Sequence, residues 1–417
     1  MRRSRDPRER VVVTGLGCIT PLGRDVPSTW EAALAGRCVA GQITHFDASR
    51  FPVRIAAQIT DPIVLDDVSP KDARRMDRVV RLALAASREA LADAGLLAHE
   101  GVRDRFGVGI GSGIGGLDTL ISNHKTLLAK GPNRVSPFTI PMSIVNMSAA
   151  CVSIQHGLGG PNLCHVSACA SGAHSIGESA RLIARGEADV MVTGGSEAPI
   201  TDIALAGFAA MRALSTRNDM PTRASRPFDR NRDGFVIAEG AGLLVLESLA
   251  HARERGVTPR AEILGYGATA DATHMAAPAE SGHGVARCME LALREAGLEP
   301  AQIDYVNAHA TGTPAGDPIE AKALRDLLGP HADSTPVSAT KSMTGHMLGA
   351  SGAVEAILCI RALEAGALPP TVNLDHPDPD CALDHVAGKA RLQPSRIALS
   401  NSFGFGGSNA SLVLARI

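Results

Sequence analysis

The chain has 417 residues, 45% of them hydrophobic and 3% aromatic, with 43 glycines and a formal net charge of −2. That length exceeds one ordinary core and predicts two or three domains or one large duplicated unit, filled by aliphatic and small side chains. The near-neutral charge offers no field for nucleic acid, no apolar run is long enough to insert in a membrane, and the eight cysteines lack C-x-x-C spacing, which excludes a zinc or disulfide framework and places the chain in a reducing, cytoplasmic setting.

Residues 1–10, MRRSRDPRER, read as a disordered basic tail, because the VVVTGLGC that follows is strand-like rather than the apolar stretch of a signal peptide. RVVVTGLG (10–17) predicts a buried strand and TPLGRDVPSTWEAALAGR a turn and helix. The periodic VVRLALAASREALADAGLL predicts a helix stopped at Gly95, and FGVGIGSGIGG a strand entering a glycine-rich loop. That loop only approximates a dinucleotide cradle, since its glycine spacing is wrong and no acidic residue closes a following strand. Residues 131–148, with three prolines, read as a long loop leading into a helix.

The central stretch is HVSACASGAHSIGESARLIARGEADVMVTGG, residues 165–195. Cys169 is predicted where a strand meets an amphipathic helix. A thiol there faces unpaired backbone N–H groups and the positive helix end, both of which favour thiolate. Residues 196–240 then read as an irregular capping insertion, followed by a strand at 242–248. A boundary near 250–260 divides the chain into halves at 11–255 and 256–417.

The second half repeats the first. AEILGYGATA is a strand, VARCMELALREAGL a helix, and IDYVNAHATGT a strand running into a glycine loop. Ala-Ser-Gly-Ala at 170–173 recurs at 350–353, and at the same shift of 180 Arg181 matches Arg361 and Gly186 matches Gly366. Strands alternating with helices in each half predict an α/β fold with two layered sheets and both Ala-Ser-Gly-Ala helices between them.

Three further segments hold polar residues that a core would reject: His309 in VNAHATGT, Lys341 and His346 in SATKSMTGHMLGASG, and the turn SNSFGFGGSN at 400–409. One thiol, two imidazoles and a lysine at equivalent strand ends point to nucleophilic catalysis. The His and Cys positions lack metal-ligand spacing and an accompanying carboxylate, so no metal is expected. A cysteine hydrolase leaves one histidine and the lysine without a task.

Ala168-Cys169 with Ala170-Ser171-Gly172, Asn307-Ala308-His309, Lys341 to His346, and Asn401 to Gly407 resemble the Cys-His-His β-ketoacyl-acyl carrier protein synthases, most of all the elongating synthase II type of bacterial fatty acid synthesis. The resemblance covers residues 10–417. It implies a thiolase-like αβαβα layered fold made of two duplicated halves, a homodimer, acyl carrier protein as partner, and no cofactor beyond the phosphopantetheine that substrates carry. It further implies Cys169 as nucleophile, an oxyanion hole from the N–H groups of Cys169 and Phe405, and His309 and His346 donating through Nε2–H to a malonyl thioester oxygen. Lys341 supports that pair. Thr311 and Thr313 are implied to contact the phosphopantetheine arm, Phe405 to gate the acyl pocket and Ile114 to line its depth, with Arg212 and Arg217 facing an acidic carrier. Ala310, Gly312 and Ser408 stand where the family usually has Gly, Ser and Thr, which leaves the subfamily open. The alternatives are a ketosynthase of a specialised polyketide or polyene pathway and a silent length-determining partner, the latter opposed by Cys169. A degradative thiolase needs a second cysteine where this chain has Phe403 and Phe405.

Overall fold

The computed structural model describes Asp6, residues 9–98 and residues 101–417, so most of the predicted basic tail lies outside the described residues. The first half contains β1 (Val11–Ile19), α1 (Arg78–Asp93), β2 (Phe106–Gly111), α2 (Met147–His156), β3 (Asn162–Leu163), α3 (Ser171–Ala184), β4 (Val190–Glu197) and β5 (Gly240–Ser248). The second contains β6 (Ala261–Ala270), α4 (His283–Ala296), β7 (Tyr305–Asn307), α5 (Gly316–Leu328), β8 (Pro336–Ser338), α6 (Ser351–Ala365), β9 (Asp384–His385), β10 (Ile397–Gly404) and β11 (Ser408–Arg416).

Strand order exposes the repeat. The first half pairs as β3, β2, β4, β5, β1 and the second as β8, β7, β10, β11, β6, with β9 added at the outer edge. Each half has the same mixture: β2 is parallel to β3 and β4, and β5 antiparallel to β4 and β1, as β7 is parallel to β8 and β10, and β11 antiparallel to β10 and β6. The two expected sheets are in fact joined. Val11–Val13 of β1 pair antiparallel with Ala261–Ile263 of β6, giving one continuous ladder of eleven strands among the described residues. The halves satisfy each other's edge strands, and no unpaired edge is buried at their junction.

Alternation along the strands builds the layers. Leu244 and Leu246 of β5 and Leu412 and Leu414 of β11 face inward, onto a core shared with Ile176 and Ile183 of α3 and Ile357 and Ile360 of α6. Leu243 and Val245 face the other way, onto Val80, Leu82 and Ala83 of α1 and Val152 of α2. Val413 and Leu399 likewise meet Met289 and Leu293 of α4 and Leu324 of α5. The result is the αβαβα stack, with the two Ala-Ser-Gly-Ala helices in the middle. They meet closely because a Cβ on Gly172 would lie 2.7 Å from the Gly349 carbonyl oxygen.

Local differences have simple causes. Residues 196–240 are not wholly irregular: Thr201 caps a helix over Asp202–Ala210, its hydroxyl accepting from the Ala204 N–H at 3.3 Å. The loop at 131–148 contains a short helix, Thr139–Ser143. Gly95 ends α1 at φ 67°, as its sequence position predicts.

Candidate active site

Cys169 does not follow a strand directly. β3 ends at Leu163, and the thiol sits in a single 3-10 turn, Ala168–Ala170, that runs into α3. The turn is strained, with Ala168 at φ 50°. It is pinned by Ser171, whose Oγ accepts the Ser167 N–H at 2.9 Å and donates to the Ala168 carbonyl at 2.7 Å. This aims the side chain away from the helix into a buried cleft.

The cleft brings the separated residues together. His346 Nε2 lies 3.0 Å from Cys169 Sγ, and its Nδ1 lies 3.0 Å from Ser351 Oγ, which also accepts the Met347 N–H at 2.9 Å. His309 meets His346 edge to face, ring centres 5.4 Å apart. Cys169, His309 and His346 line a cavity of about 130 Å³ with Thr311, Thr313 and Phe405. Ile114 is not in that lining; it packs beside the apolar cluster of Cys169, Phe235 and Leu348.

Lys341 is not a surface lysine. It is 1% exposed, and Nζ donates to Glu355 Oε1 at 2.6 Å, where the Thr340 hydroxyl also donates at 3.3 Å. Its charge and burial set the electrostatics. Burial first, then Lys341, holds both imidazoles well below their ordinary range, so each is neutral and carries one ring N–H. Burial pushes the Glu355 carboxyl up to about 7, against the pull of Lys341.

For Cys169 the expectation of a ready thiolate is corrected. Burial pushes the thiol up to about 12, outweighing the Lys341 charge and the Phe405 and Cys169 backbone N–H groups that stabilise negative charge on the sulfur. Burial thus favours the thiol over the thiolate in this cleft. The same two N–H groups converge there because the backbone of β10 passes close by: a Cβ on Gly404 would stand 3.1 Å from the Cys169 nitrogen.

Four buried carboxylates escaped the sequence reading. Glu320 accepts the N–H groups of His309 and Ala310 at 2.8 and 2.7 Å and the Asn401 amide at 3.1 Å, fixing the strand end that carries the imidazole. Asp317 accepts the N–H groups of Phe228, Gly312 and Thr313 at 2.9, 3.1 and 3.2 Å, shaping the loop on which Thr311 and Thr313 stand. Glu355 pairs with Lys341, and Glu197 lies beneath the first glycine-rich loop. An acidic residue inside an otherwise apolar helix, as in SGAVEAILCI, was the available signal for Glu355. Of the two arginines singled out for docking, Arg212 is exposed, whereas Arg217 is engaged by the Asn231 carbonyl at 2.7 Å and by Asp233.

Comparison with known proteins agrees with this architecture. The beta-ketoacyl synthase N-terminal domain model matches residues 8–252 and the C-terminal domain model residues 260–375. The chain is 48% identical over 412 residues to the 3-oxoacyl-[acyl-carrier-protein] synthase 2 of Coxiella burnetii, covering 98% of this chain and 99% of that one. A beta-ketoacyl synthase from Burkholderia phymatum superposes with a TM-score of 0.91 at 38% identity, over 98% of this chain and 99% of that one. A ketosynthase solved in complex with its type II polyketide acyl-carrier protein gives 0.89 at 32% identity, over 99% and 100%. With both domain models matched in order and the layered fold shared end to end, the chain belongs to the β-ketoacyl synthase family.

Proposed function

We propose that the protein is a 3-oxoacyl-[acyl-carrier-protein] synthase of the elongating synthase 2 type, which condenses an acyl-enzyme with malonyl-acyl carrier protein and releases CO₂. The observation that carries this reading is the meeting of Cys169 with two neutral imidazoles and two converging backbone N–H groups in one buried cleft. Sulfur attacks the acyl thioester carbonyl of the first carrier, its proton leaves with the pantetheine thiol, and acyl-Cys169 forms. The N–H groups of Cys169 and Phe405 hold the tetrahedral oxyanion, each donor worth about 3 kcal/mol.

Malonyl thioester then occupies the cleft. As its carboxylate leaves as CO₂, the electron pair passes to an enolate whose oxygen accepts the N–H groups of His309 and His346. A neutral imidazole suits this task because it donates without surrendering its proton. The enolate carbon attacks acyl-Cys169, the carbon–sulfur bond breaks, and the sulfur takes up a proton from water, the one proton the overall reaction consumes. Lys341 acts through its charge, held in place by Glu355. Thr311 and Thr313 line the approach that the pantetheine arm takes, Phe405 stands at the cavity, and Ile114, packed behind Cys169, meets the deeper end of the acyl chain.

No step asks for a metal or a bound cofactor. The carrier protein is the partner, a reading supported by the relative's name and by the ketosynthase solved with its own carrier. A second copy of the chain fits the exposed edge strand β3, whose Leu163 is 41% exposed, as is Ile154 of α2 at 78%. The reaction takes place in the cytoplasm. Elongation is favoured over a specialised polyketide pathway because identity reaches 48% for the synthase 2 relative against 32% for the polyketide ketosynthase. The test is to supply acyl- and malonyl-carrier protein and follow CO₂ and product: a 3-oxoacyl-carrier two carbons longer supports the proposal, and CO₂-free acyl exchange alone rejects it.

A further inference from the structure

Glu197 has a structural counterpart, and it is Gly404. β4 ends at Glu197 opposite Gly240, the first residue of β5, as β10 ends at Gly404 opposite Ser408, the first residue of β11. The turns ahead of α3 and α6 correspond as well. Ala168 and Leu348 share a left-handed backbone, φ 50° and 45°, and Ser351 Oγ accepts the Met347 N–H at the same 2.9 Å at which Ser171 Oγ accepts the Ser167 N–H. In this correspondence Gly349 occupies the place of Cys169.

The two crossings are filled differently. Where Gly404 faces Cys169 there is no side chain, and the Cys169 N–H is left for a substrate oxygen. Where Glu197 faces Gly349, its carboxylate fills the space. One oxygen accepts the N–H groups of Gly113 and Gly349 at 2.6 and 3.0 Å; the other accepts the Ser112 hydroxyl at 2.8 Å and the Ile114 N–H at 3.1 Å. Glu197 is fully buried, and no Lys, Arg or His forms an ion pair with it among the described residues. Burial pushes this carboxyl up, and the hydrogen bonds from Ser112, Gly113, Ile114 and Gly349 pull it back down; a carboxylate so held is bound as a free anion is bound in a nest of amides.

We propose that Glu197 is a built-in anion occupying the duplicate of the oxyanion cradle, and that it serves as a positioning residue for the catalytic cleft. It ties the loop carrying Ile114, from the first half, to the turn between His346 and α6, from the second. The nucleophile, the imidazole and the floor of the acyl pocket thereby keep one spacing. The roles of Ile114 and of the open cradle rest on the function proposed above, whereas the anion cradle itself does not.

Glu197→Ala empties the cradle, and formate is small enough to refill it. The variant is expected to be alkylated at Cys169 by iodoacetamide along a profile moved to lower pH, because the carboxylate that opposes negative charge on the sulfur is gone. It is also expected to melt at a lower temperature. Sodium formate, but not sodium chloride at equal ionic strength, restores both in the variant and changes neither in the wild type. A folded variant indifferent to formate, or one that melts and alkylates like wild type, overturns the proposal.

If Glu197→Ala does not fold, Glu197→Gln carries the test. Its carbonyl oxygen can still accept from Gly113 and Gly349, but the amide nitrogen then faces the Ile114 N–H, which it cannot accept, so discrimination between short and long acyl chains narrows through KM. Loss of the charge also moves the Cys169 alkylation profile to lower pH, Lys341, His309 and His346 being the other titratable groups that face the sulfur. Unchanged chain-length discrimination with an unmoved profile overturns the proposal. Alkylation involves no carrier protein, so its outcome is separate from that of the condensation assay.

Discussion

Lys341 and Glu355 form an ion pair sealed from water, Nζ to Oε1 2.6 Å, with 1% and 2% of their side chains exposed. Beyond the Thr340 hydroxyl on Glu355 and the nearby Glu320 carboxyl, each charge depends on the other at that depth, so the pair stands or falls together. Removing one member leaves the other uncompensated, a loss of about 3–5 kcal/mol in comparable sites.

Lys341→Met is therefore expected to lower unfolding free energy by about 3 kcal/mol at about pH 8, and by clearly less at about pH 5.5. The sign follows from Glu355, whose carboxyl burial already raises to about 7. A raised carboxyl contributes its stability below the unfolded value, near 4.5, and loses it as pH climbs through the folded value. Without Lys341 the folded value rises further, so acid relieves the variant by protonating Glu355. Urea titrations at the two pH values check this, and an equal loss at both contradicts it.

A thiol raised to about 12 makes a second prediction. In the substrate-free enzyme, alkylation of Cys169 by iodoacetamide keeps rising beyond pH 10, with no plateau near the ordinary thiol value of about 8.5. Lys341→Met slows it at any fixed pH, because the cation that favours thiolate is gone. A plateau close to 8.5 in the wild type would show that burial does not govern this sulfur.

The two histidines separate by step. His309→Ala is expected to retain acylation of Cys169 while malonyl decarboxylation falls by roughly 10²–10³, the loss measured for single oxyanion donors. His346→Ala impairs both steps, since its Nε2 is 3.0 Å from the sulfur. Single-turnover acylation and CO₂ release, measured apart, distinguish the two variants. Equal loss of both steps in His309→Ala contradicts the assignment.

Much of this site was legible in the sequence, and what was missed shares a physical cause. Cys169, His309 and His346 stand in runs of small residues where a polar side chain is conspicuous, and the shift of 180 between the Ala-Ser-Gly-Ala segments is realised in Ala168 with Leu348 and Ser171 with Ser351. Glu197, Asp317 and Glu320 were missed because an acidic residue near a turn ordinarily reads as solvated surface; here each is buried on backbone N–H groups, those on Glu197 and Asp317 including donors from distant segments. The Cys169 thiol was misjudged for a related reason. A helix N-terminus can be read from local sequence, whereas the burial that outweighs it comes from segments of both halves far away in the chain, Phe235 and Leu348 among them. Joining of the sheets through β1 and β6 depended on three residues of pairing that no local pattern announces.

Ile114→Phe tests the acyl pocket. Ile114 packs beside Cys169 and Leu348 without lining the open cavity, so a larger ring there is expected to exclude long acyl chains and spare short ones. Condensation rates across a series of acyl-carrier substrates give the answer. Uniform loss at every length rejects a pocket role for this residue.

The central claim is that Cys169 carries the acyl group between two carriers inside the cleft it shares with His309 and His346. Intact-protein and peptide mass spectrometry after incubation with acyl-carrier protein, then with malonyl-carrier protein, tests it most directly. The prediction is one acyl group on the peptide containing Cys169, discharged on the second addition as a product two carbons longer and absent in Cys169→Ala. Acylation on any other residue, or an adduct at Cys169 that malonyl-carrier protein does not discharge, would contradict it.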